Sequence, residues 1–348
     1  MADGPRIAID AMGGDAGLTV VLAGVAEAHR QWPQLRFLLV GDQSAIEKAL
    51  PRHAGLEAVC SVTHAAEVIG GADKPTQAMR RSKTTSMGIA IAAVKSGQAG
   101  AAVSAGNTGA LMAMAKLALR TMPGIDRPAL AALLPSFGAN DHVMLDLGAN
   151  TECDTRNLVE FAVMGAAYAR IVLGLARPRV HILNIGTEAL KGTEQIRDAA
   201  ALLREASDLP MEFGGFIEGD KISRGDTDVV VTDGFSGNIA LKTAEGTARF
   251  VTDLLKRSFS SSLRSKMGFL ISRPATEMLR HHLDPNNHNG AVFLGLNGIV
   301  VKSHGGANAK GFANAIGVAA KLVAADITRR IGDDLDHFAA LRALSAAA

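Results

Sequence analysis

At 348 residues and 48% hydrophobic, the chain can bury a large core, as one big α/β domain or as two smaller ones. Thirty-six Lys and Arg against 34 Asp and Glu leave a net charge of only +2, and one Trp with one Tyr makes a poor base-stacking platform, so composition excludes nucleic acid as an expected partner. Cys60 and Cys153 stand far apart in no CxxC or CxxH spacing, which indicates neither a disulfide framework nor a zinc knuckle and suits a reducing cytoplasm.

The first predicted strand, in "RIAIDAMGGD", is reached without a basic and apolar leader, and no run of about 18 uncharged apolar residues follows. A protein that is neither exported nor membrane-spanning is expected. Further Val/Ile/Leu-rich runs follow in order: "RFLLVGD", "AAVSAGNTG", "HVMLDLGAN", "VHILNIGTE", "DVVVTDGFSGN" and "GIVVKSHGGAN". Each ends in a turn of small residues, and longer stretches with helical spacing lie between most of them. Continuous rather than alternating apolar runs are what strands covered on both faces look like, so the pattern predicts a mainly parallel sheet with helices on either side. No Pro/Ser-rich linker divides the chain, so residues 1–348 read as a single α/β domain. Residues 250–283 depart from the pattern, with Lys256, Arg257, Arg264, Lys266, Arg273 and Arg280 against only Asp253 and Glu277 and with Leu, Phe, Met and Ile interleaved. That composition predicts a basic, amphipathic helical protrusion.

In such sheets ligands collect outside the carboxyl ends of the strands, where the small-residue turns are expected. Backbone amides at a strand-to-helix turn, backed by the helix dipole, form an anion site without a charged side chain. In "AAVSAGNTGALM", Ser104, Asn107 and Thr108 cap the helix that follows and face the expected pocket; a tight turn with a good N-cap accounts for the same residues. "DGFSGN" repeats the theme with Asp233, Ser236, Gly237 and Asn238, and "SHGGAN" with His304, Gly305 and Gly306. Several such nests at one sheet edge point to one multi-contact ligand. Between Asp73 and Asp126 there is no acidic residue, yet the interval holds Lys74, Arg80, Arg81, Lys83, Lys95, Lys116 and Arg120. Pro75 opens a predicted helix that sets Arg80 and Lys83 one turn apart with Ser86 nearby. These cations read as a phosphate site or as a solvated basic face.

Known nucleotide signatures fail: "GGDAG" lacks the G-x-G-x-x-G spacing, and "GNIALKT" has Leu241 where a P-loop needs its second Gly. There is no HExxH or EF-hand loop, and "HHLDPNNH" reads as a polar loop, so no metal is expected.

The combination "IAIDAMGGD", "KPTQAMRRSKTTSM", "SAGNTGALMA", "RPALA", "LDLGAN", "VVVTDGFSGNIALKT" and "GLNGIVVKSHG" closely resembles the PlsX-type phosphate acyltransferases of bacterial phospholipid synthesis, in order over residues 5–330. The resemblance implies that an acyl group moves from the thioester of acyl carrier protein to inorganic phosphate, giving acyl phosphate. It also implies a homodimer, a three-layer α/β/α sandwich akin to phosphotransacetylases and isocitrate dehydrogenase-like enzymes, and no cofactor. The family usually shows two serines where this chain has Thr85-Ser86 and an acidic pair where it has Thr187-Glu188.

Phosphate at neutral pH is partly a dianion and attacks a thioester without a strong protein base, so positioning and preorganised donors should matter most. Phosphate is assigned to Lys74, Arg80, Lys83, Ser86, Ser104, Asn107 and Thr108, with phosphate or oxyanion donors from Gly13, Gly14, Ser236, Gly237 and Asn238. Lys191 and Lys242 are candidates for stabilising developing charge, and His304 for protonating the departing thiolate or for orienting its loop. Asp10, Asp15, Asp146 and Asp233 end strands and bind substrate or cap neighbouring amides. Asn150 is a polar contact, and Cys153, with no His partner, is not indicated as a nucleophile. The segment 250–283 suits the acidic carrier protein, the inner face of the cell membrane as a peripheral contact, or dimer packing. Competing readings are a short-chain phosphotransacetylase, a metal- and nicotinamide-dependent dehydrogenase, and a non-enzymatic lipid-surface scaffold.

Overall fold

The computed structural model describes residues 4–138, 140–206 and 208–347, with side chains described to 341. Strands β1 (Arg6–Asp10), β2 (Arg36–Gly41), β3 (Cys60–His64), β4 (Ala101–Ser104), β5 (Ala129–Leu134), β6 (His142–Leu145), β7 (Arg179–Leu183), β8 (Glu212–Ile217), β9 (Val229–Val231), β10 (Ala291–Leu294) and β11 (Ile299–Lys302) make one sheet. Its order is β3-β2-β1-β4-β11-β10-β5-β6-β9-β7-β8. The helices are α1 (Gly17–Gln31), α2 (Gln43–Ala49), α3 (Pro75–Arg80), α4 (Ser86–Lys95), α5 (Thr108–Leu119), α6 (Thr155–Val172), α7 (Glu194–Glu205), α8 (Gly234–Ser260), α9 (Leu263–Ile271), α10 (Arg273–Leu283), α11 (Ala309–Ala324) and α12 (Ile327–Ala347).

Successive strand residues point to opposite faces, and both faces are buried. Ile7, Ile9, Phe37 and Val103 join one core with α1, α6, α7 and α11; Ala8, Leu38 and Ala102 join the other with α3, α4, α5 and the start of α8. The result is the expected three-layer α/β/α sandwich on a mainly parallel sheet.

Strand direction differs from the expectation of a single ligand-binding edge. β10 is antiparallel to both β11 and β5, and β5 is antiparallel to β6, while every other pairing is parallel. The strands β3-β2-β1-β4-β11 therefore run opposite to β6-β9-β7-β8. Their carboxyl ends lie at opposite edges, and the small-residue turns divide into two groups.

The helix α8 runs for 27 residues, yet only Gly234 and Gly237 in it are buried, and no residue of α9 or α10 is. The base of α8 stays on the sheet, where Ala240 and Leu241 pack against the core, and the rest of it forms, with α9 and α10, a mostly exposed helical arm. No single helix among the described residues is long and apolar enough to cross a membrane.

Candidate functional site

The adjacency of β1, β4 and β11 in the sheet brings three turns together. Asp15 N donates to Gly305 O and Ser303 N to Ser104 O, each at 2.9 Å, which stitches the tips into one surface. A Cβ on Gly13 would sit 2.7 Å from Asp10 Oδ2 and 2.8 Å from Gly106 N, so only glycine lets these turns close. Beneath them Asp10 is buried; its carboxylate accepts from Ser104 Oγ at 2.7 Å and Met12 N at 3.3 Å. Burial pushes the Asp10 carboxyl up, and those hydrogen bonds oppose the shift. Ser86 Oγ is buried beside it, and its hydroxyl likewise opposes the upward shift.

The side chains of the opening turn shape it rather than reach outward. Ser104 Oγ also accepts from Gly106 N at 3.1 Å, while Asn107 Oδ1 caps α5 by accepting from Ala110 N at 2.9 Å. The amides of Thr108 and Gly109 remain as donors at the helix start, with no acidic residue in that first turn. Asn107 Nδ2 donates to Gly71 O at 2.7 Å, which draws the following loop, with Lys74 at the start of α3, against the start of α5. The helix does open at Pro75 but stops at Arg80, so Lys83 leaves the predicted helical face for the turn before α4. Arg80 and Lys83 are exposed on that outer surface. Arg81 instead braces the loop, bonded to Glu67, to Asp73 at 3.2 Å and to Val68 O at 3.2 Å.

Sequence reasoning gave no role to Lys302, the last residue of β11. It is only 9% exposed, donates to Ala105 O at 3.4 Å and to Ser303 O, and makes no ion pair with a carboxylate among the described residues. Burial pushes its ammonium down to about 8, the charge of Lys242 adds to that, and Asp15 and Asp10 oppose it. The available signal was a charge closing an otherwise apolar strand just before "SHGG". His304 follows at the tip, within electrostatic reach of Lys242, Glu245 and Arg249 on α8. Lys242, ion-paired to Glu245 at 2.9 Å, therefore does belong to this group.

The remaining predicted residues gather at the other edge. Asp146 is fully buried and accepts from the amides of Leu130, Ala149 and Asn150 at 2.7–2.9 Å and from Asn150 Nδ2 at 2.9 Å. Asn150 Nδ2 also donates to Pro128 O at 2.8 Å, so its amide donors are spent on the turn. Asp233 caps α8 by accepting from Ser236 N at 2.8 Å, and Asn238 lies against Gly148. Lys191 is exposed in the loop after β7, away from the first group. Burial, with the charges of Asp146 and Asp233, pushes the Cys153 thiol up to about 12, which denies it thiolate character at neutral pH. Among the described residues no three His, Cys, Asp or Glu side chains lie close enough to hold a metal ion.

A family described as fatty acid synthesis protein matches residues 5–330. The phosphate acyltransferase of Erythrobacter litoralis is 66% identical over 331 residues, 95% of this chain and 93% of the relative. This chain belongs to the PlsX-type phosphate acyltransferase family. The phosphate acyltransferase of Rhodospirillum rubrum is 50% identical over 96% of this chain and 95% of its own. Among solved structures, a phosphotransacetylase from Streptococcus pyogenes superposes with a TM-score of 0.62 at 19% identity, covering 93% of this chain and 95% of that one. The EutD phosphotransacetylase from Staphylococcus aureus gives 0.60 at 17% identity over 92% and 94%. These likenesses establish the fold. The group around Lys302 offers what an inorganic oxyanion needs: backbone donors, a helix start and a desolvated cation.

Proposed function

We propose that this phosphate acyltransferase moves a fatty acyl group from the thioester of acyl carrier protein to inorganic phosphate, releasing acyl phosphate and free carrier, without a metal or organic cofactor. The observation that carries the reading is Lys302, a buried ammonium with no paired carboxylate among the described residues, set where the tips of β1, β4 and β11 meet beside the start of α5. A cation kept desolvated is costly unless an anion comes to it. Phosphate held there by the amides of the Gly13-Gly14 turn and of Thr108, with Lys74 alongside, presents an oxygen to the thioester carbon. The test is thiol release from long-chain acyl carrier protein with and without phosphate. Release only when phosphate is supplied is the expected result; equal release without it would make the chain a thioesterase, and strong preference for acetyl-CoA would make it a short-chain phosphotransacetylase.

The arm supplies the peripheral contact. Leu270 and Ile271 are 70% and 80% exposed at the end of α9, and the surrounding segment is rich in Lys and Arg, which suits the anionic inner face of the cell membrane. The apolar residues Phe250 and Leu254 on α8, 66% and 51% exposed, suit a second copy of the chain, giving a homodimer. Replacing Leu270 and Ile271 together by Ser should weaken sedimentation with phosphatidylglycerol vesicles by roughly tenfold or more, from the apolar area withdrawn from lipid. Thiol release in solution should stay unchanged. Undiminished sedimentation would remove the arm's tip from the membrane contact.

A further inference from the structure

At the tip of β11 the residue His304 is fixed from both its backbone and its ring. Its N–H donates to Asn289 Oδ1 at 2.8 Å, and buried Asn289 donates in turn to Ser303 Oγ and Gly311 O, each at 2.8 Å. On the ring, Nδ1 lies 3.1 Å from the amide nitrogen of Gly306. A backbone amide only donates, so Nδ1 is the acceptor and carries no proton. The proton of the neutral ring is then on Nε2, which has no protein partner among the described residues. Protonating Nδ1 would set two N–H groups against each other and break the turn. The surroundings act in the same sense: burial lowers the ring's pKa, Lys302, Lys242 and Arg249 add to that, and Glu245 opposes it. The Asp15 carboxylate lies at the neighbouring Gly305 and Gly306.

This arrangement does not suit the proton donation expected from the sequence, which requires an imidazolium. We propose that His304 serves acyl transfer as a neutral hydrogen-bond donor, its Nε2–H offered to the thioester carbonyl oxygen as negative charge builds there. The proposal rests on the phosphate acyl transfer described above and assigns a role within it. The proton balance needs no protein acid. A phosphate oxygen forms a bond to the carbonyl carbon, the carbonyl π pair moves onto oxygen, and its return breaks the C–S bond. Hydrogen phosphate enters with one proton and leaves as the acyl phosphate dianion, and that proton ends on the departing sulfur. What remains for the protein at the carbonyl is to hold the oxyanion.

Glutamine places an N–H where Nε2–H stands but cannot titrate, so the pair His304→Gln and His304→Ala separates donor from acid. With wild-type protein first shown to release thiol only when phosphate is present, kcat and KM for phosphate are measured for both variants from pH 6 to 9. The expected result is that H304A loses about 100-fold in kcat, the scale of one oxyanion donor, while H304Q stays within about tenfold of wild type by retaining that donor and keeps the wild-type acid limb. Two outcomes overturn the proposal: H304Q as slow as H304A, which would mark a titrating acid, or a rise in the KM for phosphate with kcat unchanged, which would mark a ground-state ligand. Wild-type protein that fails to release thiol with phosphate would instead overturn the acyl-transfer reading itself.

Discussion

Replacing Lys302 by Met should abolish most of the activity while raising the melting temperature. Met keeps the length and apolar stem of the side chain, so what is lost is the charge where the tips of β1, β4 and β11 converge. Removing a preorganised group of this kind costs about 100- to 1000-fold in turnover, and the KM for phosphate should rise as well. The stability change has the opposite sign. The ammonium titrates at about 8 in the folded chain against 10.5 for a free lysine, so the protonated form favours the unfolded state. The penalty is fully present below about pH 8 and disappears as pH rises through 10.5; at neutral pH it amounts to about 3 kcal/mol. The variant's thermal advantage at pH 7 should therefore shrink when both proteins are melted near pH 10. In the wild type, kcat/KM should decline on an alkaline limb centred near pH 8 as the cation is lost. Near-normal turnover by K302M, or a melting temperature below wild type at pH 7, would show Lys302 to be a structural residue and take away the observation on which the phosphate site stands.

That residue also marks the boundary of what the sequence could tell. The strands, the helices on both faces and the Gly-bordered turns were legible because doubly covered strands need unbroken apolar runs. Which turns meet was not. Whether "RPALAALL" and "GAVFLGL" run with or against their neighbours depends on how the chain returns across the sheet, and no local residue records it. Those runs became β5 and β10, the strands that reverse the sheet and send "LDLGAN" and "DGFSGN" to the far edge. Roles shifted for the same reason. Asn107, Asn150 and Asp233 carry the donors and acceptors expected of ligand contacts, and each gives at least one of them to the turn it sits in. Lys302 was visible in "VVKSHGG" as a charge ending an apolar run; its burial comes from its neighbours in the sheet, which only the strand order reveals.

The two glycines Gly237 and Gly246 on α8 give a matched test of how the arm is held. A Cβ on Gly237 would sit 2.0 Å from the carbonyl oxygen of Asp146 and 2.7 Å from Thr232 Cγ2. The first of these is backbone at the end of β6, which cannot swing aside, so Gly237→Ala must lift the start of α8 from the sheet. Overpacking of this severity costs about 3 kcal/mol or more, and for a chain of this size the melting temperature should fall by about 4 °C or more. A Cβ on Gly246, further along the same helix, would meet nothing within 4 Å. Gly246→Ala should instead stabilise by about 0.5–1 kcal/mol, because alanine gives up less backbone freedom than glycine on entering a helix. The first substitution should also depress turnover, since the helix it displaces carries Lys242 and Glu245 to the neighbourhood of His304. The second should leave turnover alone. If both variants melted with the wild type, α8 would not be seated on the β6 turn, and the placement of Lys242 beside the β11 tip would lose its support.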